Sequence, residues 1–164
     1  MDLVFSPQIL MPKRSFVPDD PLNLIKNGGF ERGNPPLRWL AWQTPETFER
    51  SNTQKHGGAY AAHVIDSKPS YGGFRQIQNR VAGLVYRLAV WFYIVSGGMH
   101  VLAHNGLGSS WLLISEFSEL GAWTYYTVDF TETDTGALGD VIFQNNTLTV
   151  AGEFYVDDVS LKIV

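Results

Sequence analysis

From Asn23 to the C-terminus, short runs rich in Val, Ile, Tyr, Phe, Trp and Thr alternate with clusters of Gly, Asn, Asp and Ser. That pattern belongs to an all-β domain. It predicts strands over 23–27, 39–43, 47–51, 59–65, 74–81, 84–95, 99–104, 111–117, 123–131, 139–146 and 153–163. Turn signals separate them at Gly33-Asn34-Pro35-Pro36, His56-Gly57-Gly58, Tyr71-Gly72-Gly73, Ser96-Gly97-Gly98, Asn105-Gly106 and Thr135-Gly136. No stretch sustains a 3.6-residue period, so helix is expected to be minor. No internal repeat of useful length is present.

Side chains alternate faces along a strand. Over 84–95 this puts Tyr86, Leu88, Val90, Phe92 and Ile94 in the core and Val85, Arg87, Ala89, Trp91 and Tyr93 outward. Likewise Tyr60, Ala62 and Val64 are expected inward, with Ala61 and His63 outward. In 74–81, Ile77 and Val81 are assigned to the core and Gln76, Gln78 and Arg80 to the outer face. A one-residue slip would invert each assignment. The last strand breaks strict alternation, because Asp157 and Asp158 stand between apolar Val156 and Val159. A parity switch of this kind predicts a bulge at the two aspartates.

Residues 1–22 read differently. Pro7, Pro12, Pro18 and Pro21 prevent helix and central strand alike, and apolar residues such as Phe5, Ile9, Leu10 and Phe16 lie between them. An extended N-terminal arm is expected, either a flexible leader or an element packed on its own sandwich or on a neighbouring subunit.

Composition narrows the function classes. With 164 residues the chain fits one domain. A hydrophobic fraction of 45%, with 13% aromatic and 17% charged residues, argues against disorder. The net charge of −4 offers no electrostatic footprint for nucleic acid. There is no cysteine, which excludes disulfides and thiolate metal sites. No apolar run approaches the roughly 20 residues of a membrane helix, so no membrane partner is expected. Between Met1 and Arg14 the basic residues follow the apolar stretch, the reverse of a secretory signal. The expectation is a protein used without such export, or an excised domain given a start Met.

Several motifs in a fixed order carry a family resemblance. They are Asn23-Leu24-Ile25-Lys26-Asn27-Gly28-Gly29-Phe30-Glu31, Trp39 and His56-Gly57-Gly58-Ala59-Tyr60. Gly83 to Trp91, Trp123-Thr124-Tyr125-Tyr126 and Phe154 to Leu161 follow. Over 23–163 the chain resembles carbohydrate-binding modules of the family 4, 9, 16 and 22 type. The resemblance implies a jelly-roll β-sandwich of two antiparallel sheets, and makes Trp39 and Trp123 packing residues. It also implies a structural Ca²⁺ that ties the first strand to the last through Glu31 and Asp157, with carbonyls from the turn at 55–58. Ca²⁺ takes about six to eight oxygen ligands; the simpler alternative is that both carboxylates hydrogen-bond loop amides.

Sugar rings present apolar C–H faces that stack on Trp and Tyr, while amides and Arg bond their hydroxyls. The candidates for such contacts are Trp91, Tyr93 and Arg87, with Gln76 and Gln78 beside them, and Trp42, Tyr71 and Trp111 at loop edges. Exposed aromatics equally mark protein interfaces. No catalytic constellation is expected. Glu116 and Glu119 lie in a loop-like stretch without a cleft to separate them, no nucleophile elbow is present, and His56, His63, His100 and His104 read as surface or loop histidines.

Two functions follow. The first is a non-catalytic attachment or structural protein, a decoration or tail component of a virion surface. Residues 1–22 would anchor it to neighbouring subunits, in a homo-oligomer or larger assembly, and the sandwich would grip polysaccharide or cell-surface glycan. The second is a glycan-binding module of a secreted, extracellular glycoside hydrolase.

Overall fold

The structure, a computed structural model, describes residues 20–105, 110–133 and 138–164. Apart from Asp20 to Leu22, the N-terminal arm lies outside the described residues. The turns expected at Asn105-Gly106 and Thr135-Gly136 also reach into residues that are not described.

Among the described residues ten strands follow one another: β1 (Leu40–Trp42), β2 (Thr47–Ser51), β3 (Ala61–Asp66), β4 (Gly73–Asn79), β5 (Val85–Ser96), β6 (Met99–Asn105), β7 (Ser110–Phe117), β8 (Trp123–Thr131), β9 (Leu138–Asn145) and β10 (Gly152–Ile163). They form two antiparallel five-stranded sheets, one in the order β1-β4-β9-β6-β7 and one in the order β2-β3-β10-β5-β8. The molecule is a jelly-roll β-sandwich. Its core is a single layer of alternating side chains, among them Phe74, Tyr86, Leu88, Val90, Phe92, Val141, Phe143, Phe154 and Leu161. At one end Phe74 stacks on Phe48 with centroids 4.9 Å apart and meets Trp39 edge-on at 5.2 Å. Trp39 is thus the packing residue expected. Trp123 is half-buried on the outer face of the second sheet.

Residues 23–27 correct the first predicted strand. They form bends that bridge the two sheets. On one side Leu24 N–H donates to the Leu161 carbonyl (2.9 Å), and the Asn23 side chain accepts from Leu161 N–H (2.9 Å). On the other side the Lys26 main chain exchanges two 2.8 Å hydrogen bonds with the Gln76 amide. Gly28 then passes so close to β10 that a Cβ there would collide with the Val159 carbonyl.

The Gln76 amide explains a second correction. Gln76, Gln78 and Arg80 point inward and are buried, whereas Ile77 and Val81 are exposed. The core anchor of β4 is Phe74, and alternation counted from it carries the polar residues inside. Gln76 is tolerated there because it satisfies Lys26. Arg80 is tolerated because its Nε lies 2.8 Å from Glu132, and its guanidinium also reaches the His104 carbonyl.

In β5 the facing is as predicted, and the register of β10 shifts between Asp157 and Ser160 as the bulge requires. In β3, Ala61 and His63 take the outward parity expected, with Ala62 and Val64 in the core, but both outward residues are covered and buried. His63 lies beneath Tyr155, stacked at 4.3 Å, between Glu49 and Glu153.

Candidate functional site

The residues singled out for sugar contact fall in separate places. Gln76 and Gln78 lie between the sheets and are engaged internally, so they do not stand beside Trp91. Arg87, Trp91 and Tyr93 lie on the outer face of the β2-β3-β10-β5-β8 sheet. Trp42 and Trp111 meet over His104 on the outer face of the other sheet, and Tyr71 lies apart from them against His100.

The second-sheet face is aromatic but largely self-engaged. Tyr93 pairs with Tyr155 on β10 and with Trp123 on β8, and Tyr155 pairs with His63 on β3. One row therefore crosses four strands. Its rings meet at 4.3, 6.4 and 5.9 Å, with the last two contacts edge-on or tilted. His56 stacks on Trp91 at 3.9 Å and 12°, and Tyr125 tilts against the indole at 5.1 Å. The guanidinium of Arg87 holds Asp129 in a bidentate pair at 2.7 Å. Most of the groups that stack or bond sugars are already in use here.

The first-sheet face is built around Asp140, a wholly buried carboxylate on β9. One oxygen accepts from Arg75 Nη1 on β4 (3.0 Å) and the other lies 2.8 Å from His104 Nδ1 on β6. Above this pair stand the two tryptophans. Trp42 lies under the Arg75 guanidinium, 4.6 Å from its centroid, and meets His104 edge-on at 6.3 Å. The Trp42 indole N–H donates to Gln144 (2.8 Å). Trp111, on β7, packs on His104 at 3.5 Å and is 47% exposed. Tyr71 stacks with His100 at 6.5 Å, and burial holds His100 below the ordinary imidazole range.

Arg75, His104, Asp140 and Gln144 are not among the residues that the sequence singles out. His104 is not a surface or loop histidine but is 3% exposed in a strand. Alternation is the signal that finds all four. With Phe74, Ala103, Val141 and Phe143 inward, their strand neighbours must face out.

Glu31 and Asp157 close on one loop from opposite sides. Glu31 Oε1 accepts from Ala59 N–H (2.7 Å) and Tyr60 N–H (3.2 Å). Asp157 Oδ2 accepts from His56 and Gly57 N–H (both 2.9 Å), and Oδ1 accepts from Asp158 N–H (2.8 Å). Burial, reinforced by neighbouring Asp158, pushes the Asp157 carboxyl up to about 7. Asp158 holds the His56 ring at 2.8 Å. Among the described residues no three His, Asp or Glu side chains lie close enough to hold a metal. Both carboxylates thus hydrogen-bond loop amides, and a hard cation would need further oxygen ligands beyond them.

A two-sheet jelly roll bearing tryptophans and hydrogen-bonding side chains on one face is the architecture of a sugar-binding module. The family profile described as "Carbohydrate binding domain" matches residues 22–149, and the chain belongs to that family. A comparison with curated proteins gives no match.

Solved structures share the fold. One described as "CBM4 structure and function" superposes with a TM-score of 0.68 at 16% identity, covering 85% of this chain and 99% of that one. The enzymatically active domain of tailspike protein 4 from bacteriophage CBA120 gives 0.66 at 13% identity, over 87% of this chain and 22% of that one. The CBM22-1-GH10 modules of a Clostridium thermocellum xylanase, complexed with xylohexaose, give 0.63 at 13% identity, over 88% and 29%. At these identities the likeness shows the fold alone.

Proposed function

We propose that the chain is a non-catalytic glycan-binding protein that takes a sugar chain along the outer face of the β1-β4-β9-β6-β7 sheet. The observation that carries this reading is the Trp42–Arg75–His104–Trp111 row, held from below by Asp140. Trp111 offers an exposed stacking surface. Arg75, with its side chain partly exposed, supplies donors for hydroxyls, while buried His104 and Gln144 hold the two tryptophans in place, and fixed rotamers keep the ordering cost low. β1 and β7 are the two edges of the sheet, four strand spacings or roughly 19 Å apart. That span suits an oligosaccharide better than a single ring. Asp140 offsets the charge of Arg75, which favours neutral glycans over acidic ones.

As its setting we propose the surface of a virion, with residues 1–22 anchoring the domain to neighbouring subunits as a decoration or tail component. The likeness to a phage tailspike supports this. The alternative, a module of an extracellular glycoside hydrolase, is supported by the likeness to the xylanase modules. For the loop clasp we propose a structural Ca²⁺ between Glu31 and Asp157. Asp157 is buried and its oxygens accept from three main-chain amides, and a cation there would offset the cost of burying its charge.

A glycan array probed with the wild type, Trp42→Ala, Trp111→Ala and Trp91→Ala tests the sugar site. Binding that is lost in the first two variants and kept in Trp91→Ala is the expected result. A blank wild-type array, or loss confined to Trp91→Ala, overturns it.

A further inference from the structure

Among the described residues the two sheets end on the same side of the sandwich, in β7 and β8, with no strand beyond either. Ser115 and Tyr126 join these strands through their hydroxyls at 2.5 Å, and Phe117 meets Tyr126 edge-on at 4.9 Å. An edge strand exposes unpaired N–H and C=O groups, and monomeric proteins protect such edges with charge, proline, bulges or brevity. The opposite edges are protected in this way. β1 has three residues, and β2 places Glu49 and Arg50 among its five. β7 is eight residues long and contains no Lys, Arg or Pro; its one charge, Glu116, stands next to its end, and its one bulge leaves 113–117 regular.

Nor do side chains seal this flank. No residue of β7 is fully buried. Leu113 and Phe117 of β7, and Tyr126 and Val128 of β8, pack against the core only in part. Ile114, on the outer face, is 57% exposed. Apolar surface left in water forgoes about 25 cal/mol per Å², so a partner that extends the sheet gains from both backbone pairing and burial.

We propose that β7 is a self-association edge, at which two copies pair β7 with β7 antiparallel about a two-fold axis through Ser115. The β6–β7 register slips between Ala103 and His104, with Leu113 opposite the one and Trp111 opposite the other, so the extra residue is Leu112. Regular alternation therefore runs from Leu113 to Phe117. Outward residues must meet outward residues, and a closed two-fold pairs one patch with itself. The register that uses all five residues is centred on Ser115. It sets Leu113 against the second copy's Phe117 on the inner side. On the outer side Ile114 meets the second copy's Glu116, so the two acids do not face each other. Residues 1–19 are a poorer occupant of this edge, because their prolines lack ladder donors. The inference is independent of the sugar site.

Sedimentation equilibrium on the full chain at tens of micromolar tests it. The wild type is expected at twice the 18.3 kDa chain mass, and Ile114→Lys at the chain mass with the circular dichroism spectrum and cooperative melt of a folded domain. Ser115→Cys supplies the only thiol in the chain, at a position where directly opposed strands allow a disulfide. It is expected to give a covalent dimer on oxidation, and this decides the matter should Ile114→Lys fail to fold. A monomeric wild type, a dimer that survives Ile114→Lys, a dimer abolished by deleting residues 1–19, or an oxidised Ser115→Cys variant that stays uncrosslinked overturns the proposal.

Discussion

Replacing Asp140 with Asn tests the centre of the site, because it keeps the side-chain volume and removes the charge. Asp140 is wholly buried and holds two partners, Arg75 at 3.0 Å and His104 at 2.8 Å. Hydrogen bonds to a charged group contribute about 1.5–3 kcal/mol each, and removing one member of a buried ion pair costs about 3–5 kcal/mol. The Arg75 side chain is 25% exposed and can recover part of its hydration, so the cost falls toward and below the lower end of the ion-pair range. A loss of roughly 2–4 kcal/mol is expected. In a domain of this size each kcal/mol lowers Tm by about 2–4 °C, so the melt should fall by roughly 4–16 °C. Urea unfolding followed by circular dichroism measures the free energy directly, with an unchanged m-value showing that the unfolded state is the same. A loss below about 0.5 kcal/mol, the range of an ordinary surface substitution, would refute the reasoning that Asp140 organises this face.

Three further outcomes concern other parts of the molecule. Gly28→Ala pushes a methyl into the Val159 carbonyl and should cost at least the about 1–3 kcal/mol typical of overpacking, read as a lower urea midpoint. Glu132→Ala strands the buried Arg80 guanidinium and should cost about 3–5 kcal/mol; the double variant Arg80→Met, Glu132→Leu should recover most of that loss in the same assay. The pH profile of stability in EDTA tests Asp157. Its folded pKa is raised to about 7 from 3.8, so the folded state binds the extra proton. The resulting stabilisation is full below about pH 4 and is lost as pH rises through about 7, an effect on the order of a few kcal/mol. Asp157→Asn should flatten this part of the profile, and added Ca²⁺ should raise Tm most at the alkaline end if the clasp holds the cation.

The fold is legible in the sequence because its strands are short, aromatic and punctuated by turns. β5 announces its faces through five successive inward apolar residues, and the Asp157-Asp158 bulge shows as a break in parity. β4 misleads because Ile77 and Val81 look like core. The inward placement of Gln76 depends on Lys26, which is fifty residues away, and no local pattern reports such a pairing. The bridging segment 23–27 misleads for the same reason, since its partners lie on β10 and β4. At the site the tryptophans are visible as residues, but their grouping is not. Trp42 and Trp111 share a face only after β4, β9 and β6 are inserted between β1 and β7. His104 looks idle in the sequence because its partner, Asp140, is thirty-six residues away on the neighbouring strand.

The sharpest discrimination between the two faces comes from backbone amide chemical-shift mapping during titration with the oligosaccharide selected by the array. A sugar chain bound on the first sheet gives shifts concentrated at Trp42, Arg75, His104 and Trp111, with the Trp91 and Tyr125 face silent. Shifts confined to the Trp91 and Tyr125 face, with the Asp140 cluster unmoved, would contradict that placement.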